Sequence, residues 1–243
     1  MLISFIILFS GVFAGGLTVL WKPLPKMLLK LLLAFTGSLL FSIAVLDLMP
    51  EIFQGMGKNA GIFILAGFFL QIVLEFWSHG IEHGHIHHHS GRTFLWLVLA
   101  SLCLHSLLEG MAVFYLPRGI QATGQGINLN NGLFTGILLH HIPIAIALMA
   151  LFAESGLKVR NRIALLAIFA LMPGIGMYLG AHADSLTNLP GGNLLLNAVT
   201  GVVTGILLHI STTILFESDE NHKFNVYKFI TVIFGAALAW AIL

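Results

Sequence analysis

Two long apolar stretches of the sequence contain side chains that could bind a cation together. His105 and Glu109 lie four residues apart, so a helix would present the imidazole and the carboxylate on one face, about one turn from each other. His140 and His141 lie in the next apolar stretch, and their side chains diverge by about 100° around a helix. We therefore expect one of these two to point at His105. Imidazoles and carboxylates are ligands of divalent transition metals, so this spacing predicts a metal site between two helices.

The composition indicates where those helices lie. Of the 243 residues, 58% are hydrophobic and only 9% are charged, and the mean hydropathy is +0.96. A water-soluble domain keeps about a quarter of its residues charged, so we expect an integral membrane protein with lipid as its solvent. The formal net charge of +1 gives no indication of nucleic-acid binding. The single cysteine, Cys103, offers neither a disulfide framework nor a thiolate metal cluster.

Apolar runs long enough to cross a bilayer recur along the chain. Continuous apolarity over about 20 residues is typical of a spanning helix and not of a barrel strand. We predict an all-α membrane protein whose residues 1–243 form a single transmembrane domain. For the first run, a signal peptide is the alternative to a spanning helix. The eight predicted spans are 2–21, 27–49, 61–77, 93–116, 131–153, 162–181, 194–216 and 227–243.

The basic residues are distributed unequally between the connections, which predicts the orientation. Lys58 and Arg118 fall on one side of the predicted membrane. The nine on the other side are Lys22, Lys26, Lys30, Arg92, Lys158, Arg160, Arg162, Lys223 and Lys228. Because basic residues concentrate in the cytoplasm, both termini are expected outside it. The membrane expected is the cell (inner) membrane.

The predicted depths of the two histidine-bearing helices agree. His105 lies about 12 residues, or roughly 18 Å, from the cytoplasmic start of its helix, and His140 lies roughly 16 Å above the same face. Pro143 removes a backbone donor, frees the carbonyl of Leu139 and is expected to kink the helix beside the histidines. An ionisable group inside a membrane costs several kcal/mol, so such a cluster indicates function. The alternative is a set of structural hydrogen bonds between helices.

Other polar residues lie in or near the predicted spans, and two of them have two interpretations each. Asp47, near the outer end of span two, is either a carboxylate that attracts cations to the entrance of the pathway or an interfacial carboxylate. His209 in span seven is either an exit-path ligand or a satisfied packing group. For Glu75, Glu154 and Glu217, near cytoplasmic helix ends, interfacial carboxylates are favoured.

Half of the twelve histidines lie in one predicted cytoplasmic loop, residues 78–92. A His-rich tract binds zinc, copper and nickel in several geometries, so we predict a regulatory metal-binding loop. A soluble linker is the alternative. The histidines are His79, His83, His85, His87, His88 and His89.

Three motifs resemble the ZIP (Zrt-, Irt-like) family of metal transporters. Residues 105–110, HSLLEG, are similar to the family's His-Asn/Ser-x-x-Glu/Asp-Gly signature in span four. Residues 140–143, HHIP, are similar to its span-five motif, and residues 47–51, DLMPE, to the ending of its span two. The resemblance implies a bundle of spans one, four, five and six that moves against spans two, three, seven and eight. The ligands that it implies are His105, Ser106, Glu109, His140 and His141.

The sequence departs from the family pattern at two carboxylate positions. Ile144 stands where the family has a span-five glutamate, and Met172 stands before Pro173 where glutamate is frequent. We therefore expect a single site, rich in imidazole, instead of a two-metal site bridged by carboxylates. Such a site favours Zn²⁺ over the harder Mn²⁺.

The leading hypothesis is a carrier, not an enzyme, that moves a divalent transition metal into the cytoplasm. Zn²⁺ is the expected substrate, with Fe²⁺, Mn²⁺ and Cd²⁺ as other candidates, and no prosthetic group is expected. The expected surroundings are the lipid bilayer, without nucleic acid, and a homodimer is compatible with this hypothesis. One alternative is an intramembrane zinc-dependent hydrolase with Glu109 as general base, although no His-Glu-x-x-His helix is present. The other is a transport-deficient metal sensor.

Overall fold

The computed structural model describes residues 1–22, 24–78, 92–115, 132–185, 192–216 and 226–243. Within these ranges the protein is helical and contains no strand, so the all-α prediction is confirmed. The helices are α1 (Leu2–Leu17), α2 (Lys26–Ile43), α3 (Met49–Met56), α4 (Ala60–Ser78), α5 (Arg92–Tyr115), α6 (Gly132–Glu154), α7 (Val159–Ser185), α8 (Gly192–Phe216) and α9 (Val226–Ile242).

Six helical stretches of the described residues are long and apolar enough to cross a membrane. They are Leu2–Leu20, Lys26–Ser78, Thr93–Val113, Gly132–Glu154, Val159–His182 and Leu194–Leu215. Helix α9, with 17 residues, is apolar but shorter. The chain is thus an integral membrane protein, and the number of eight spans stays a prediction.

The 53-residue stretch Lys26–Ser78 is helical along its length but changes direction at Gly57. Gly57 has a φ of 55°, which glycine adopts without steric cost. Before this point, Gly37 faces Ile214 near the end of α8, and Gly55 faces Asn197 near its start. Helices α2 and α3 therefore run antiparallel to α8.

After the turn, α4 runs in the same direction as α8. Phe63 on α4 faces Gly201, and Glu75, further along α4, faces His209. Glycines bring the two backbones into contact, since a Cβ on Gly205 would lie 1.9 Å from the carbonyl oxygen of Ile64. The chain thus folds back on itself between α3 and α4. Both segments pack on the same partner helix.

The helices form two groups by their packing. Helices α1, α5, α6 and α7 pack mainly on one another, with the most extensive contact between α5 and α7. Helices α2, α4, α8 and α9 form the second group, in which α4 packs on α8 and α2 on α9. The groups meet where α2 packs on α6 and α4 on α5. These groups correspond to the bundles that the family resemblance implies, and relative movement between them stays a prediction.

Candidate metal centre

Helices α5 and α6 bring two histidines and a glutamate together in the interior. His105 and Glu109 on α5 are fully buried, and Nε2 of His105 lies 3.2 Å from Oε1 of Glu109. His140 on α6 is also fully buried, and its ring centroid lies 6.4 Å from that of His105. These three residues each offer a ligand atom, and the three atoms lie within 4.8 Å of one another. We call His105, Glu109 and His140 the triad.

The size of the triad suits a small cation after a modest contraction. A tetrahedral zinc ion with bonds of about 2.0–2.1 Å places its ligand atoms about 3.4 Å apart. The ligand atoms of the triad, up to 4.8 Å apart, would have to approach one another by little more than 1 Å. Small side-chain rotations of two histidines and a glutamate supply such a movement.

His141 lies beside the triad and uses both of its ring nitrogens. Nδ1 lies 2.9 Å from the carbonyl oxygen of Ile137, which accepts its proton. Nε2 therefore accepts from the hydroxyl of Ser106 at 2.8 Å. The same Nδ1 lies 3.6 Å from Oε2 of Glu109. His141 and Ser106 thus connect α5 to α6 directly beside the triad.

Aromatic and backbone contacts from α7 hold this arrangement. The ring of Phe169 stacks on His141 with centroids 5.7 Å apart. Gly110, next to Glu109, touches the backbone of α7, since a Cβ there would lie 2.0 Å from the carbonyl oxygen of Pro173. The position of α5, and with it Glu109, therefore depends on close contact with α7.

His140 also receives a contact from the second group of helices. Its Nδ1 lies 3.2 Å from Oγ1 of Thr36 on α2. That hydroxyl in turn lies 3.3 Å from the carbonyl oxygen of Leu33. The triad is thus built on α5 and α6 but is also contacted by α2.

Sequence comparisons identify the family of the chain that contains this buried site. The profile of the ZIP Zinc transporter family matches residues 78–243, which include α5 to α9. The chain belongs to the ZIP family. This is a family of transporters, not of enzymes, so the hydrolase alternative is not favoured.

Two zinc transporters are similar to part of the chain. Zinc transporter ZIP3 of Bos taurus is 28% identical over 161 residues, which cover 65% of this chain and 48% of the relative. Zinc transporter ZIP3 of Homo sapiens is 28% identical over 138 residues, covering 56% of this chain and 40% of the relative. The chain therefore spans less than half the length of the curated relatives it matches.

The two positions where ZIP carboxylates were expected are apolar and lie close to the site in sequence. Ile144 on α6 is fully buried in the apolar core. Met172 on α7 is half-buried and precedes Pro173, which lies inside the helix. Within the part of the chain that the structure describes, the triad holds one carboxylate, Glu109. It offers less negative charge than a divalent cation carries.

The remaining predicted site residues lie elsewhere or outside the described residues. Asp47 lies in a π-helical turn, Ala44–Leu48, and is half-buried. His209 lies between α8 and α4, where its Nδ1 is 3.5 Å from Oε2 of Glu75 and its ring packs edge-on against Phe68. Neither belongs to the triad. The predicted metal-binding histidines of the loop 78–92 fall outside the described residues.

Two contacts were missed by reasoning from the sequence. Thr36 gave no signal, because a threonine in an apolar span is ordinary. Glu75 was interpreted as an interfacial carboxylate, although it faces His209. A signal for the second contact existed in Gly201 and Gly205, since glycines four residues apart predict a close helix neighbour.

Proposed function

We propose that this chain carries Zn²⁺ across the membrane into the cytoplasm and that the triad binds the ion on its way. The observation that carries the proposal is the burial of His105, Glu109 and His140, all fully inaccessible in apolar helices, with ligand atoms within 4.8 Å of one another. Such groups are costly inside a membrane unless they serve a pathway or a site. Membership of the ZIP family supports the same function.

The donor set supports zinc as the substrate. Two imidazoles and one carboxylate match the borderline softness of Zn²⁺ better than that of Mn²⁺, which prefers oxygen ligands. We therefore propose that Zn²⁺ and Cd²⁺ compete for the triad and that Mn²⁺ competes weakly. The relatives named as zinc transporters support this choice.

Ser106 and His141, which lie beside the triad, have a structural role in the proposed function. His141 accepts from Ser106 and donates to Ile137, so its nitrogens are engaged within the protein. We propose that this pair holds α5 and α6 together while the triad binds the ion. A side-chain rotation would make Ser106 and His141 additional ligands, as the family resemblance implies.

The proposed direction is based on the predicted topology. Segment 78–92 follows the third predicted span on the cytoplasmic side, where its histidines would receive the ion as it leaves. Asp47, at the opposite end of the second predicted span, would attract cations on the outer side. We propose inward transport on the basis of this predicted placement of the two groups.

Zinc uptake into proteoliposomes tests the site. We expect His105→Ala and Glu109→Ala each to lower radioactive zinc flux at least tenfold relative to the unmodified protein. His182→Ala is the matched control, because His182 is an exposed histidine at the end of α7 and should leave flux unchanged. Unchanged flux in both triad variants would show that the site is wrong.

Zinc content of cells tests the direction. Cells that express the protein should accumulate zinc from the medium, measured by elemental analysis, and cells that express Glu109→Ala should not. Cells that instead lose zinc relative to the Glu109→Ala cells would contradict inward transport while leaving the site intact.

A further inference from the structure

Thr36 on α2 contacts the proposed metal site although α2 supplies none of the triad. Its side chain is 2% exposed and lies 3.2 Å, Oγ1 to Nδ1, from the fully buried His140. Through this contact, a hydroxyl from the other group of helices approaches an imidazole of the triad.

The direction of this hydrogen bond follows from the second partner of the hydroxyl. Oγ1 of Thr36 also lies 3.3 Å from the carbonyl oxygen of Leu33, which can only accept. A hydroxyl has one proton, so when it donates to Leu33 its oxygen accepts from Nδ1–H of His140. A neutral imidazole with its proton on Nδ1 has its lone pair on Nε2, which is the form that binds a metal.

We infer that Thr36 is a positioning residue for zinc binding: it fixes the tautomer and the ring orientation of His140 so that Nε2 meets the cation. The inference rests on the proposed function, because it needs His140 as a ligand. Hydrogen bonds to the second nitrogen of a metal-binding histidine typically change metal affinity by about 10–100-fold. Thr36 therefore contributes to binding without touching the ion.

The packing of α2 on α6 places Thr36 at the level of His140. Leu40 and Ile43 lie one and two turns after Thr36, and both contact Gly136, one turn before His140. A Cβ on Gly136 would lie 2.9 Å from a methyl carbon of each of them. The two helices thus run antiparallel, and this close contact fixes the register that pairs Thr36 with His140.

Zinc affinity in detergent, measured by competition with a chelating dye, tests the inference. Thr36→Val keeps the shape but lacks the hydroxyl, and we expect it to raise the Kd for zinc by about 10–100-fold. Thr36→Ser restores the oxygen and should return the Kd to within about threefold of the original. Ser38→Ala is the matched control, because it removes a buried hydroxyl from the same helix that binds Val232 of α9 instead of the site.

A double-mutant cycle with His140→Ala separates positioning from general damage. If Thr36 acts through His140, Thr36→Val should have no further effect on zinc affinity in the His140→Ala background. Selective ¹⁵N labelling of histidine should show the proton of His140 on Nδ1 in the unmodified protein and a mixture of tautomers in Thr36→Val. If Thr36 only fills space, Thr36→Val, which keeps the shape, should change neither the zinc affinity of the otherwise unmodified protein nor the tautomer of His140.

Three outcomes have distinct meanings. A loss in His140→Ala with no loss in Thr36→Val overturns the role of Thr36 and leaves the proposed site standing. An equal loss from Thr36→Val with and without His140 also overturns it, because the effect would then come from packing. An unchanged zinc affinity in His140→Ala overturns the ligand assignment itself, and the inference fails with it.

Discussion

Replacement of Gly110 by alanine should separate α5 from α7 and weaken zinc binding. The added Cβ would lie 2.0 Å from the carbonyl oxygen of Pro173, whereas a van der Waals contact requires about 3.4 Å. The two helices would therefore have to move apart by roughly 1.4 Å at this point. Glu109 is the adjacent residue, so its carboxylate would move with α5.

The size of the effect on zinc affinity follows from the distances between the ligand atoms of the triad. Its ligand atoms lie up to 4.8 Å apart and must contract to bind zinc, so a displacement of α5 by about 1 Å disturbs the geometry between its two ligands and His140 on α6. Misplacement of a positioned group by about 1 Å costs on the order of 100-fold where geometry is demanding. We expect Gly110→Ala to raise the Kd for zinc by about 10–100-fold and to lower the free energy of unfolding by about 1–3 kcal/mol.

Two other glycine variants distinguish a local from a general effect. A Cβ on Gly67 would lie 1.9 Å from the carbonyl oxygen of Val202, so Gly67→Ala makes the same clash between α4 and α8. It should lower thermal stability in detergent without changing the zinc affinity of the folded protein. Gly61→Ala places its Cβ in open space and should change neither quantity.

The glycine series can refute the reasoning in two ways. If Gly110→Ala destabilises the protein as much as Gly67→Ala does and keeps its zinc affinity, the triad does not depend on the contact between α5 and α7. If Gly67→Ala lowers zinc affinity as strongly as Gly110→Ala, the loss reflects the whole helix bundle instead of the site. Calorimetry and the dye competition assay measure both quantities on the same preparations.

Two further predictions concern zinc as a stabilising ligand and the contact between α4 and α8. Zinc at about 100 times its Kd should raise the free energy of unfolding by about 2.7 kcal/mol, and a similar rise in His105→Ala, measured by thermal denaturation, would contradict the ligand assignment. His209→Ala removes the edge-on ring contact with Phe68 and should cost about 0.5–1.5 kcal/mol of stability with unchanged zinc affinity in the same dye assay. A weakened zinc affinity in that variant would show that zinc binding depends on this contact between α4 and α8.

The triad was predictable to the extent that helix geometry determines it. The spacing of His105 and Glu109 fixes their common face on α5, and counting residues from the helix ends fixes the depth of His140. The choice between His140 and His141 was not predictable, because it depends on the rotation of α6 about its axis. That rotation is set by contacts such as Gly136 against α2, which have no signature in the sequence of α6.

The end of the second predicted span was also not predictable from the sequence alone. Span two was predicted to end at residue 49, just before Pro50 and Glu51. In the structure the helix does not end there: a π-helical turn, Ala44–Leu48, precedes Met49, and Pro50 follows directly after this wider turn, at the start of α3. The helical residues therefore continue to Met56. The sequence indicates that the helix is irregular near Pro50, but it does not show whether the helix ends there or continues after a π-helical turn.

A carrier must hold its ion firmly enough to select it and weakly enough to release it. Under the proposed function, Glu109 alone leaves about one positive charge of Zn²⁺ uncompensated, so much of the affinity must come from well-oriented imidazoles. The orientation of His140 depends in turn on Thr36, which lies on α2 in the other group of helices. Displacement of α6 along α2 by one residue, about 1.5 Å, would break this hydrogen bond and release the ring. Weaker binding would then accompany a movement of one group along the other, which is the coupling that release of the ion requires.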